Sequence, residues 1–170
     1  GLGVVMVDVA PQLENVAAEL GDEATVRSLV ADLKNPAWIE ALGSATQGLE
    51  VGLAIANAGV AFVGRYLDMA PARRRAIIDV NCAATADLAS WALPAMVDRG
   101  RGAFVATSSG SALAGTGGVA LYSATKAFSV NLVEALGWEL ADTGVDALAV
   151  VAPTMDTPMF RSGGADLERA

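Results

Sequence analysis

This sequence predicts an α/β protein with a doubly wound parallel sheet, covered by helices on both faces to give three α/β/α layers. Three observations predict it. Short apolar runs bounded by turn residues alternate with amphipathic stretches along the whole chain, with no repeat and no linker. The apolar runs are nearly continuous, which is the pattern of strands buried on both faces. Of the 170 residues, 54% are hydrophobic and 18% charged, a balance that suits a large core. This length fits one domain, so residues 1–170 are expected to form a single unit.

Gly1 to Val9 (GLGVVMVDV) reads as the first buried strand, ending near Asp8. Gly1 and Gly3 are not a phosphate loop, because Met6 stands at the third glycine position and the glycines precede a strand. Pro11 to Leu20 predicts a helix with proline in its first turn. Thr25 to Val30 is the second strand, and Ala31-Asp32-Leu33 follows it. Asn35 can cap a helix that begins at Pro36 and buries Trp38, Ile39 and Leu42. Val51 to Ala56 is the third strand and runs into Asn57-Ala58-Gly59.

Pro71 opens a long helix with Ile77, Val80, Ala84, Leu88, Trp91 and Ala95 at helical spacing. Asn81 falls inside it, and Pro94 should bend or end it. Arg73-Arg74-Arg75 reads as a solvated face. Arg99 to Gly102 turns into a fourth strand, Ala103 to Ala106, which breaks into a Thr-Ser-Ser-Gly-Ser corner. A glycine-rich loop, Gly115 to Gly118, leads into a helix that runs to about Thr143. Its apolar stripe is Phe128, Leu132, Leu136 and Leu140. Asp146 to Val151 is the last strand, and Ala152 to Pro158 a loop.

Charge and composition narrow the function. A net charge of −8 argues against nucleic acid or an anionic membrane surface as a partner. The uncharged run from Gly102 to Thr125 is too rich in Gly, Ser and Thr for a membrane span. The absence of histidine removes Ser-His-Asp and Cys-His hydrolase mechanisms and histidine-based metal sites, and no metal site is expected. No Gly-x-Ser-x-Gly elbow is present either. A single cysteine, Cys82, excludes an internal disulfide. The opening residues read as an apolar strand rather than a basic leader, so no signal peptide and a cytoplasmic location are expected.

Chemistry concentrates between Ala103 and Lys126. Tyr122 and Lys126 are four apart, so a helix stacks them on one face. A lysine ammonium beside a phenol pulls the tyrosine pKa down, which suits a general acid/base. Ser109 lies thirteen residues before Tyr122, where a returning helix can bring the two together. Asp8, Asp32, Asn57, Ser109 and Thr157 all fall at or just past the carboxyl end of a strand, where such sheets bind ligands. Each has a plainer reading. Asp8 and Asn57 can be turn residues, Asn81 a tolerated helix asparagine, and Cys82 packing rather than a nucleophile. Ser111 is a rival to Ser109.

Taken together, Asn57-Ala58-Gly59, Asn81, Ser109, Tyr122 and Lys126, in this order and spacing, resemble the short-chain dehydrogenase/reductase family. The resemblance covers essentially the whole chain and implies a Rossmann-like fold. It implies an NAD(P)-dependent oxidoreductase that interconverts a secondary alcohol and a ketone. Tyr122 would transfer the proton, Lys126 would lower its pKa and bond the nicotinamide ribose, and Ser109 would hold the reacting oxygen. Asn81 would bind a water linking Lys126 to solvent, interrupting its helix locally. Asp32 and the adjacent Leu33 would meet the adenine, and Asn57, Ala58 and Gly59 would lie beside the cofactor. Met155 and Thr157 would face the nicotinamide carboxamide. Asp8 would accept from ribose hydroxyls and repel a 2′-phosphate, favouring NAD over NADP. The small apolar loop after Ser109 suggests a hydrophobic alcohol or ketone substrate. The family also implies a homodimer or homotetramer.

The sequence departs from the family in three places. The family's first strand and glycine-rich turn have no counterpart, and neither does its last strand. The usual Asn-Asn-Ala-Gly is Ala56-Asn57-Ala58-Gly59, and the Pro-Gly of the cofactor-side loop is Ala152-Pro153. The missing first strand would be central, so unpaired edges are expected on the first and third strands. These departures suggest a fragment of a longer product. They leave open a non-catalytic fragment or binding module that holds the dinucleotide weakly.

Overall fold

Parallel strands and α-helices alternate along residues 3–21 and 25–153, the residues that this computed structural model describes. They form two units, Gly1–Val51 and Gly52–Ala170.

In the first unit, β-branched residues favour the strands β1 (Val4–Asp8) and β2 (Val26–Val30), but the expected burial is not found: no β1 residue is buried, and in β2 only Val26 is. They pair in parallel, Val4 opposite Val26 and Asp8 opposite Val30. The crossover between them carries α1 (Leu13–Leu20). Asn35 caps the turn before α2 as expected, its Oδ1 accepting from the Ala37 N–H at 3.2 Å. The regular helix α2 then runs Trp38–Ala45 and buries Trp38 and Leu42. Asp8 is the last residue of β1, and Asp32 and Leu33 follow β2 at the same end of this sheet.

The second unit holds β3 (Leu53–Ala56), β4 (Gly102–Ser109) and β5 (Val145–Ala152), in the parallel order β3-β4-β5. Strand β4 runs three residues past the predicted break. Thr107, Ser108 and Ser109 stay in the sheet because Val150, Val151 and Ala152 of β5 pair with them. Among the described residues β1 is bonded only to β2, and β3 only to β4, so the expected unpaired edges are present.

Helices α3 (Pro71–Ile78) and α4 (Ala84–Asp98) are joined by a π-helical turn, Asp79–Ala83. That turn inserts an extra residue and rotates the buried stripe. Ile77 and Ala84 are buried as expected, but beyond them Ala89, Ala92, Leu93 and Met96 replace Leu88, Trp91 and Ala95. Pro94 does not end α4, which continues to Asp98. The arginines of α3 are tethered. Arg73 donates to the Ala61 carbonyl, Arg74 to that of Met69, and Arg75 pairs with Asp79 at 2.7 Å.

Helix α5 (Ala120–Glu139) packs on β4 and β5. Its buried side is Ser123, Thr125, Lys126, Ser129 and Val133; of the predicted stripe only Leu140, just past the helix end, is buried, while Leu132 and Leu136 are half-buried and Phe128 is exposed. Leu132, Leu136 and Leu140 line a groove shared with Ala89, Leu93 and Pro94 of α4. No helix among the described residues is long and apolar enough to cross a membrane.

Candidate active site

The site is built where β4 ends and α5 begins. Ser109 closes β4 in an extended conformation (φ −145°, ψ 154°), and a 3₁₀ turn, Gly110–Ala112, reverses the chain. Tyr122 enters in the first turn of α5, and the Ser109 hydroxyl acts on its phenol, favouring the ionised form. Ser109, not Ser111, is therefore the serine at the tyrosine. Ser111 stands behind it, its N–H 3.3 Å and its Oγ 3.1 Å from the Ser109 Oγ.

Lys126 lies one turn beyond Tyr122 and is 7% exposed. Its Nζ donates to the Thr107 carbonyl of β4 at 2.7 Å and stands 5.8 Å from the centroid of the Tyr122 ring. The Lys126 backbone carbonyl accepts from both Ser108 Oγ and Ser129 Oγ at 2.8 Å, clamping α5 to β4 at this turn. Burial pushes the Lys126 ammonium below its ordinary pKa, with the nearby Cys82 thiol acting the other way.

The expectation that Lys126 draws the tyrosine pKa down is corrected. Burial is the larger influence on Tyr122 and raises its pKa above 10.0, and the opposing bond comes from Ser109. The lysine charge is directed at the Thr107 carbonyl, leaving the phenol with a desolvation cost that Ser109 only partly offsets. Cys82 is half-buried, and burial pushes its thiol up as well, so it lacks the thiolate character of a nucleophile.

Asn81 occupies the π-helical turn and is 3% exposed. Its Oδ1 accepts from the Val60 N–H at 2.9 Å, and its Nδ2 donates to the Val60 carbonyl at 3.0 Å and to Thr125 Oγ1 at 2.9 Å. Thr85 Oγ1 donates to the Asn81 backbone carbonyl at 3.0 Å. The residue is thus a junction between the loop after β3, the π-helical turn and α5. Both amide protons are spent on protein, so a water here has only spare carbonyl lone pairs to use.

The Asn57 Oδ1 accepts from Thr107 Oγ1 at 3.0 Å, so Thr107 touches Asn57 with its side chain and Lys126 with its carbonyl. Gly59 lies close to one site cation and one amide: a Cβ there would stand 3.4 Å from Lys126 Nζ and 3.6 Å from Asn81 Oδ1. Ala58, beside it, is exposed.

Asn57, Gly59, Asn81, Ser109, Tyr122 and Lys126 are therefore brought together in the second unit. Asp8, Asp32 and Leu33 share the carboxyl end of the sheet in the first. Asp8 Oδ1 accepts from the Ala10 N–H at 2.8 Å, as a turn residue does. Asp32 accepts from the Lys34 N–H at 3.0 Å and pairs with its ammonium at 3.1 Å. That N–H is the chief reason its pKa lies below the ordinary carboxylate value. Met155 and Thr157 lie outside the described residues. Sequence reasoning missed Thr107, Ser108, Thr125 and Ser129. Thr125 had a signal, as a hydroxyl inside the Tyr122–Lys126 turn. The others are visible only once β4 and α5 are packed.

The chain is similar to known oxidoreductases in sequence and fold. The chain is 32% identical over 167 residues to the oxidoreductase UcpA of Escherichia coli (strain K12), covering 95% of this chain and 63% of that protein. It is similar to a short-chain dehydrogenase from Sphingobium yanoikuyae solved in complex with NADPH, with a TM-score of 0.90 at 31% identity over 100% of this chain and 68% of that one. It is also similar to a 3-ketoacyl-(acyl-carrier-protein) reductase from Brucella melitensis complexed with NADH, with a TM-score of 0.88 at 25% identity over 95% and 69%. These likenesses establish the doubly wound, Rossmann-like α/β/α fold. Residues 1–168 match the family described as short chain dehydrogenase, and the chain belongs to that family.

Proposed function

We infer that the full-length protein is an NAD(P)-dependent oxidoreductase that interconverts a secondary alcohol and a ketone, with Tyr122 as general acid/base. The observation that carries this reading is the convergence of Ser109, Tyr122 and Lys126 at the junction of β4 and α5.

The residues fit a dinucleotide. Gly59 has no side chain where a larger one would press on Lys126 and Asn81, so the approach to the ammonium is left open. Lys126 and Asn57 would hold the nicotinamide ribose side, and Asp8, Asp32 and Leu33 the adenosine side. When bound, the dinucleotide supplies or accepts the hydride. Ser109 donates a hydrogen bond to the substrate oxygen and holds it against Tyr122. In ketone reduction the Tyr122 hydroxyl gives its proton to that oxygen, and in alcohol oxidation the phenolate removes it. Asp8 favours NAD, since a carboxylate at this strand end accepts from ribose hydroxyls and repels a 2′-phosphate.

The apolar groove between α4 and α5 supports pairing of those helices across a dimer axis, testable by the mass of the full-length protein in solution. The activity is tested by following NADH or NADPH consumption by the full-length protein over a panel of hydrophobic ketones. Turnover is expected with NADH, and Tyr122→Phe should abolish it while leaving dinucleotide binding intact. Undiminished turnover in that variant would sink the assignment.

A further inference from the structure

Ser111 has no part in the mechanism above, yet both of its donors converge on one atom. Its N–H lies 3.3 Å and its Oγ 3.1 Å from the Ser109 Oγ, the hydroxyl donating to it. The first bond is ordinary turn chemistry, a strand-end serine capping the 3₁₀ turn Gly110–Ala112. The second is not required by the turn. It has a consequence for Ser109. A serine hydroxyl has two acceptor sites and one proton. With both acceptor sites filled by Ser111, Ser109 can meet a third group only as a donor, and Tyr122, which enters α5 after the 3₁₀ turn, is the group whose ionised form Ser109 favours.

We propose that Ser111 is a positioning residue: by filling the acceptor sites of Ser109, it directs the single Ser109 proton towards Tyr122 and the oxygen that reacts there. The part concerning the reacting oxygen rests on the function inferred above. The part concerning Tyr122 does not. Without the Ser111 hydroxyl, Ser109 keeps its backbone cap but has a free acceptor site and can turn its proton away. Its hold on the tyrosine oxygen is then lost.

The test uses the full-length protein and reads Tyr122 without turnover. Tyrosinate absorbance is followed through alkaline pH for each variant and for the same variant carrying Tyr122→Phe, and the difference isolates Tyr122. Lys126 and Cys82, the titratable groups facing this site from α5 and the π-helical turn, are the same in every arm. Ser111→Ala should raise the Tyr122 pKa by roughly half a pH unit, the scale of one neutral hydrogen bond. It should also lower kcat about fivefold with KM little changed. Ser111→Thr, which keeps the hydroxyl, should restore both.

An unshifted Tyr122 titration in Ser111→Ala overturns the proposal, whatever happens to kcat. If alanine disturbs the turn, Ser111→Thr is compared with Ser111→Val, the same shape with and without the hydroxyl. Equal titrations in that pair overturn it too. The two readings fail separately. A shifted titration without hydride transfer leaves the positioning role standing and removes the function. Hydride transfer with an unshifted titration does the reverse.

Discussion

Asn81 donates its side-chain amide to Thr125 Oγ1 at 2.9 Å, and Thr125 in turn donates to the Tyr122 carbonyl at 2.8 Å. The π-helical turn is thereby tied to the helix turn that carries both Tyr122 and Lys126. Asn81 is buried with every side-chain donor used. Asn81→Ala should destabilise the full-length protein by about 2–4 kcal/mol, because Val60 and Thr125 lose their partners away from water. Thr125→Val should cost about 1–2 kcal/mol. Denaturant unfolding measures both, and the double variant should cost less than the sum because the two share one bond.

Tyr122→Phe keeps the ring and removes the proton. Turnover should fall about 10²–10⁴-fold, the range of a lost general acid/base. Dinucleotide affinity, read by fluorescence titration, should be little changed, and so should stability.

The raised Tyr122 pKa sets a direction for the pH profile. Alcohol oxidation needs the phenolate, so its rate should still be climbing with pH in the alkaline range, past the ordinary tyrosine pKa. Ketone reduction needs the phenol and should hold level through neutral pH, falling only on the alkaline side. Ser109→Ala removes the hydroxyl that opposes the effect of burial on Tyr122 and should move both limbs to higher pH. An oxidation rate already level near neutrality would contradict the burial argument.

Lys126 is buried, and its pKa is lowered mainly for that reason. A lowered folded-state value means that the folded protein binds this proton less readily than the unfolded chain. The stability linked to it is therefore present above the unfolded value of 10.5 and is lost as pH falls through the folded one. Lys126→Met should accordingly raise stability near neutral pH, by about 1 kcal/mol, while abolishing activity. The gain should shrink as pH rises. Thermal unfolding of the two proteins across neutral to mildly alkaline pH measures it.

Ser123, next to Tyr122, is 3% exposed and its Oγ finds no hydrogen-bond partner among the described residues. Ser123→Ala removes a buried hydroxyl that returns nothing and should stabilise the protein by up to about 1 kcal/mol, visible as a higher Tm. Gly59→Val should act oppositely on function. A branched side chain there meets Lys126 Nζ and Asn81 Oδ1, so kcat and dinucleotide affinity should fall together.

The sequence by itself determined what lies within a few residues. Alternating apolar runs and amphipathic stretches specify the strand–helix order, and a four-residue spacing on a helix puts Tyr122 over Lys126. The strand ends place Asp8, Asn57 and Ser109 for the same reason. Only the tertiary structure decided what joins distant segments. Asn81 meets Thr125 across 44 residues, Thr107 meets Asn57 across 50, and Lys126 turns its ammonium to a backbone carbonyl 19 residues away. Periodicity carries no record of such pairs, because a backbone carbonyl looks alike at every position. The π-helical turn shows the same limit. One inserted residue at Asp79–Ala83 rotated the buried stripe of α4, and the Lys126 charge that spacing alone aims at Tyr122 is held instead by Thr107.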